Sequence, residues 1–267
     1  MEARRRRIGA RACAALLLLV AACTAAALAA RDEPQAEVCA PPFAPLPSGS
    51  CVALPHDASA DTQVIVFLHG MAPTRDAIVR ASVPFAEAAN AAGMALIVPF
   101  GARGYCPWSA DAREWLCWPN SPGLRSARHT VVQRLEEDVR AVGRMLSARA
   151  PVVPVLVGFS NGAFAAARLT AENALPVRAV GIAHGGVSMP AHFGADAQVP
   201  VLLLAARGDR WHYPTMQELR DELLADGWSP TWSERDGAHE LTGDDVRAIV
   251  DFLGALAPGD RVDAALP

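Results

Sequence analysis

The sequence predicts an α/β fold, and three features predict it. Short, wholly apolar runs bounded by turn residues alternate with longer stretches of helical periodicity. One of those runs, Val155–Val157, leads directly through Gly158-Phe159-Ser160-Asn161-Gly162 into a stretch of small residues. The composition, 52% hydrophobic and 19% charged over 267 residues, suits one domain with a core of useful size.

In chain order, residues 1–30 read as a signal peptide: Arg4 to Arg7 form a basic cluster, Arg11 follows, and Cys13 to Ala30 is almost wholly apolar. Val20-Ala21-Ala22-Cys23 resembles the bacterial lipobox, which would put a lipid on Cys23 and attach the domain to a membrane. Ala27-Leu28-Ala29 suits ordinary signal peptidase and soluble secretion instead, and an uncleaved anchor is the third route. All three export the domain, lipid-anchored in the cell envelope or secreted. Without residues 1–22, which hold five Arg and one Glu, 19 arginines face 27 carboxylates, a net charge of −8. No nucleic-acid surface is implied. Lysine is absent, which excludes a Schiff base, a lysine-anchored pyridoxal cofactor and a Walker-type phosphate loop.

Residues 31–50, with five prolines, read as a Pro/Ala-rich tether. The domain is expected over 51–257, with 258–267 a tail. Its apolar runs, Val64–Leu68, Ala95–Val98, Val153–Val157, Ala179–Ala183 and Val201–Ala205, suit buried parallel strands, with a last strand around Thr231–Glu234. Thr130–Ala150 repeats apolar residues at three- and four-residue steps and reads as an amphipathic helix. A capping box at Thr215–Glu218 predicts a helix to about Ala225, and Thr242 with Asp244 and Asp245 opens another to about Leu256. In an exported chain Cys39, Cys51, Cys106 and Cys117 can form bridges; three pairings exist, and short separation favours Cys39 with Cys51 and Cys106 with Cys117. The seven histidines are scattered without a tight pair, so neither a metal nor any other cofactor is expected.

Gly158-x-Ser160-x-Gly162 is the pattern of a nucleophile elbow, a sharp strand-to-helix turn whose flanking positions must be small. It makes Ser160 the candidate nucleophile. With the Gly-Phe-Ser-Asn-Gly-Ala elbow, the chain from about Val52 to Leu256 resembles the α/β-hydrolase superfamily. It looks most like exported serine esterases of the polyhydroxybutyrate-depolymerase and feruloyl-esterase type, and more loosely like the dienelactone hydrolases. The resemblance implies a mostly parallel sheet flanked by helices and a triad in the order Ser, Asp, His.

Asp209, in the turn after the apolar strand Val201–Ala205, is the candidate orienting acid, with Asp196 and Asp236 as rivals that follow no buried strand. His239, between the last strand and the last helix, is the candidate base; His212 reads as a rim residue and His184 as packing near its strand end. Strand Val64–Leu68 ends in His69-Gly70-Met71, which resembles the superfamily's His-Gly turn and makes the backbone N–H groups of Met71 and Asn161 the expected oxyanion donors. His69 itself reads as loop-shaping. The long interval from Pro99 to His129 holds Tyr105, Trp108, Trp115 and Trp118, and with Trp211 these are candidate substrate-binding aromatics; packing of the loop is the equal alternative. Gly185–Pro200 is too short for a cap domain, and no surface-binding tail is read after Leu256. The expectation is a cofactor-free serine esterase acting on a small-molecule or oligomeric ester, with an amidase or peptidase, or a catalytically silent binding lipoprotein, as alternatives.

Overall fold

The computed structural model describes residues 38–106, 111–187, 191–194 and 198–256. Cys23 and the rest of the signal segment lie outside the described residues. Among those described, no helix is long and apolar enough to cross a membrane.

Eight strands form one sheet in the order β1-β2-β4-β3-β5-β6-β7-β8. β1 (Ala44–Pro45) and β2 (Cys51–Ala53) pair antiparallel, as do β2 and β4 (Ala95–Val98). β3 (Val64–Leu68), β5 (Val155–Phe159), β6 (Ala179–Ala183), β7 (Val201–Ala206) and β8 (Thr231–Arg235) complete a parallel block with β4. The apolar runs become central strands because both of their faces are covered: β3, β4, β6 and β7 are buried at every position. β8, with Ser233, Glu234 and Arg235, is the edge and is only half-buried.

Among the described residues five α-helices accompany the sheet: α1 (Arg75–Ala91), α2 (Arg125–Met145), α3 (Asn161–Ala171), α4 (Tyr213–Ala225) and α5 (Gly243–Gly254). The strand order reverses between β3 and β5, since the chain runs outward from β3 to β4 and returns past β3. The loops after β3 and β5 therefore both leave the carboxyl edge of the sheet beside this reversal, where sites of open α/β sheets form.

Several boundaries differ from the sequence expectation. The stretch 31–50 is not a tether throughout: Phe43 and Leu46 are buried, β1 lies within it, and Cys39 is bridged to Cys51. Buried Asp138 of α2 accepts the hydroxyls of Ser48 and Ser50, fixing this segment to the domain. α2 spans 125–145 instead of 130–150. A 3-10 turn at Pro122–Leu124 opens it early, and Ser147 turns into the left-handed region just after its end. β5 begins at Val155 because Pro154 has no N–H for the ladder. Thr215 forms no capping box; its hydroxyl donates to the His212 carbonyl, and α4 starts two residues earlier with Pro214 in its first turn. Thr242 does cap α5, in a reciprocal box with Asp245. α1 was hidden by Pro84 in its interior, yet Ile78, Val79, Phe85, Ala86 and Ala89 share one buried face.

Candidate active site

Ser160 sits between β5 and α3 with φ 53° and ψ −120°, a conformation forced by the abruptness of the turn. Its N–H donates to Ala183 O of β6 at 3.0 Å, and its carbonyl accepts from Ala163 and Phe164 of α3. Both flanking glycines are steric necessities. A Cβ on Gly158 would collide with the Gly162 carbonyl, and one on Gly162 would collide with Leu68 O at the end of β3.

The three candidate triad residues, from three separate loops, meet. Ser160 Oγ lies 2.7 Å from His239 Nε2, and His239 Nδ1 lies 2.5 Å from Asp209 Oδ2. With Nδ1–H facing a carboxylate, the imidazole presents Nε2 as acceptor to the serine hydroxyl. Ser160 and Asp209 are buried. Burial, reinforced by nearby His212 and opposed by Asp209, holds the His239 pKa below the ordinary histidine value. Burial alone would raise Asp209, but hydrogen bonds from His212 and His239 outweigh it and keep the carboxylate below its usual range.

The loop carrying His239 is gripped from β8. Arg235 donates to the carbonyls of Asp236, at 3.1 Å, and Glu240, at 2.7 Å, on either side of the histidine. Arg235 is itself held by Asp245 of α5 at 3.0 Å. Asp245 also accepts from the Thr242 N–H at 2.8 Å and faces His184 Nε2 at 3.2 Å. Burial acts against the Asp245 anion, but its bonds to His184, Arg235 and Thr242 prevail and hold its carboxyl far below the ordinary range.

The opposite side of the serine is braced by neutral groups. His69 is buried, its Nδ1 on the Gly70 carbonyl and its Nε2 accepting the Gly101 N–H at 2.9 Å. Burial, only partly offset by the Gly70 bond, pushes its pKa down to about 4, so this ring stays neutral and shapes the loop. Trp118 spans the gap: its indole N–H donates to His69 O at 2.9 Å, and its backbone N–H donates to Asn161 Oδ1 at 2.7 Å. Bridges Ala72↔Leu116 and Ala102↔Cys117 bind the two loops together, and a Cys106–Cys117 disulfide closes the outer one. Among the described residues, the N–H groups of Met71 and Asn161 donate to no acceptor.

The aromatic candidates do not act as one set. Trp118 is 1% exposed and belongs to the core, so of the two readings of this loop's aromatics it follows the packing one and not the substrate wall. The reason is its indole N–H, which finds its acceptor inside. Trp115 is 37% and Trp211 85% exposed, Tyr105 is half-buried, and Trp108 lies outside the described residues. His212 is no rim residue: it bonds Asp209 and stacks on His239 with centroids 4.1 Å apart. Its signal in sequence was the three-residue step from Asp209 across a helix start; the Arg235–Asp245 grip had none. Asp209, His212 and His239 offer donor atoms within 4.8 Å of one another, the one group of metal-ligand type among the described residues, and these atoms already face each other as imidazole–carboxylate hydrogen bonds.

No family model matches the sequence, and no curated protein matches it. Solved structures do. A carboxylesterase from Bacillus cereus aligns with a TM-score of 0.56 at 17% identity, over 76% of this chain and 92% of its own. YahD, solved with malic acid, aligns at 0.56 and 16%, over 76% and 97%. A truncated carbohydrate esterase from gut microbiota aligns at 0.55 and 15%, over 78% and 91%. The chain has the α/β-hydrolase fold. Within that fold the β6–β7 connection is where a cap would enter, and among its described residues it holds neither helix nor strand.

Proposed function

We propose that this protein is an exported serine hydrolase that cleaves carboxylic esters through an acyl-enzyme. The observation that carries the reading is the continuous relay from Ser160 Oγ through the His239 imidazole to Asp209, on a strained turn at a helix N-terminus. His239 takes the Ser160 proton as Oγ attacks the ester carbonyl, then returns it to the leaving alcohol. Asp209 holds the ring in the required tautomer and stabilises the imidazolium. The Met71 and Asn161 N–H groups receive the oxyanion, and water repeats the sequence to release the acid. In this reading the exposed Trp115 and Trp211 and the half-buried Tyr105 supply apolar contact for the acyl or alcohol group. The esterase names of the structural neighbours support the ester preference, and the N-terminal segment with two disulfides supports export.

The test is hydrolysis of short and medium nitrophenyl esters by the domain and its Ser160→Ala variant, with fluorophosphonate labelling mapped by peptide mass. Labelling on Ser160, with activity falling by on the order of 10⁶ in the variant, is the expected result. A folded protein that neither labels nor hydrolyses ends the catalytic reading and leaves a binding role for the fold.

A further inference from the structure

We infer that His212 is a positioning residue of this relay, a second imidazole that fixes the carboxylate of Asp209 and sets how readily His239 takes its proton; the inference rests on the esterase reading above. The geometry is specific. His212 Nδ1 lies 3.0 Å from Oδ1 and 3.1 Å from Oδ2 of Asp209, and the His212 backbone N–H donates to Oδ1 at 3.2 Å. His239 Nδ1 faces Oδ2, so the two histidines together meet both oxygens and the carboxylate cannot swing away from the base. His212 is held in turn. It occupies the N-cap position of α4, its carbonyl accepts from Met216 N–H and the Thr215 hydroxyl, and Phe164 packs at 5.9 Å on its ring.

The two imidazoles stack with centroids 4.1 Å apart and planes 18° from parallel. Two consequences follow from one contact. His212 competes with His239 for the same anion, and each hydrogen bond it draws from Asp209 weakens what Asp209 gives to a forming imidazolium. A positive charge on His212 also stands against the base and opposes a proton on His239. Facing His239 are Asp209 and His212 from the β7–α4 loop, Ser160 from the elbow, and His184 from the end of β6 with ring centroids 6.4 Å away. His184 contacts Asp245 and Arg235 behind it. Of these groups, His212 is the one that touches both members of the acid–base pair.

The experiment compares wild type with His212→Phe, which keeps a stacked ring without donor or charge, and His212→Asn, which keeps a donor without the imidazole. Folding is checked by circular dichroism. In His212→Phe, kcat is expected to fall about tenfold with KM little changed, and the acid limb of kcat/KM to move to higher pH, because His239 becomes more basic. His212→Asn restores most of kcat while its acid limb stays displaced. A merely structural role would lower stability and leave the limb in place. The His239 midpoint, read by NMR of the imidazole C–H in wild type and both variants, should rise in each variant whether or not an ester is turned over, so failure of the esterase reading and failure of this one are distinguishable. An unmoved midpoint, or His212→Phe with wild-type kcat and acid limb, overturns the inference.

Discussion

Replacing Trp118 by Phe tests whether the oxyanion side of the site is held by one indole. The side chain is fully buried, and its N–H makes a 2.9 Å bond to His69 O. Phenylalanine keeps an aromatic face toward the His69 ring, 5.1 Å away in the wild type, but leaves that carbonyl unpaired in the interior. An unsatisfied buried acceptor costs about 1–3 kcal/mol, and the volume lost between indole and phenyl adds roughly 1 kcal/mol. A combined loss of about 2–4 kcal/mol lowers Tm by roughly 5–15 °C in a domain of this size. The functional consequence follows from where His69 O lies, directly above Gly162 and one residue before the Gly70–Met71 turn. In the proposed mechanism, releasing it lets the Met71 N–H drift from where the oxyanion would develop. Loss of a whole donor costs about 10²–10³ in kcat, so partial misplacement should cost roughly tenfold, in kcat and not KM. Thermal melting and nitrophenyl-ester kinetics on the same preparation decide the matter. A Tm within about 1 °C of wild type together with kcat within about twofold would refute the brace.

Stability should also depend on pH through His69. Its folded pKa of about 4 lies below the unfolded value of 6.5, so the unfolded chain binds the extra proton; the contribution is complete above 6.5 and is lost as pH falls toward 4. Between pH 7 and 5 this amounts to about 2 kcal/mol, measurable by urea unfolding, and His69→Gln should remove that part of the slope. Arg235→Met should free the His239 loop and strand buried Asp245 without its cation, costing about 3–5 kcal/mol and lowering kcat. A melt identical to wild type would show that the grip is idle. Opening the Cys106–Cys117 bridge by a double Ser substitution should cost roughly 2–3 kcal/mol, since its residues are 11 apart, and should reduce kcat through the Trp118 segment that follows. Unchanged kcat in the folded double variant would separate the disulfide from the site.

The parallel strands were legible because each is a continuous apolar run, and the elbow because its two glycines are sterically compelled. Asp209 and His239 were readable from their places after strands. What could not be read were contacts that link residues distant in the chain without altering local pattern. Trp118 could be read as a substrate-facing or a packing aromatic, and its backbone reaches Asn161 across 43 positions. Arg235, which no sequence pattern singles out, is the grip on the His239 loop. Helix α1 was missed for a local reason, because Pro84 reads as a breaker although a helix packed on its apolar face tolerates the lost hydrogen bond. The tether was misjudged because proline content speaks of extended backbone and says nothing of whether Phe43 and Leu46 find a core.

The two sides of Ser160 are braced by different chemistry, and the difference matches the charges that an acyl transfer would create. On the oxyanion side the bracing groups are a neutral histidine, an indole, an amide and backbone carbonyls, with a disulfide outside them. Among the described residues no anion bonds the Met71 and Asn161 N–H groups, and the depressed His69 pKa keeps that loop's hydrogen-bond pattern fixed through the neutral range. On the base side the bracing is ionic. Arg235 and Asp245 offset one another, which leaves Asp209 as the uncompensated anion beside His239. In the proposed acyl transfer, negative charge on the substrate would thus meet aligned neutral dipoles, and positive charge on the imidazole a buried carboxylate already in place. Neither needs solvent to reorganise, which is the condition under which fixed dipoles lower a barrier most.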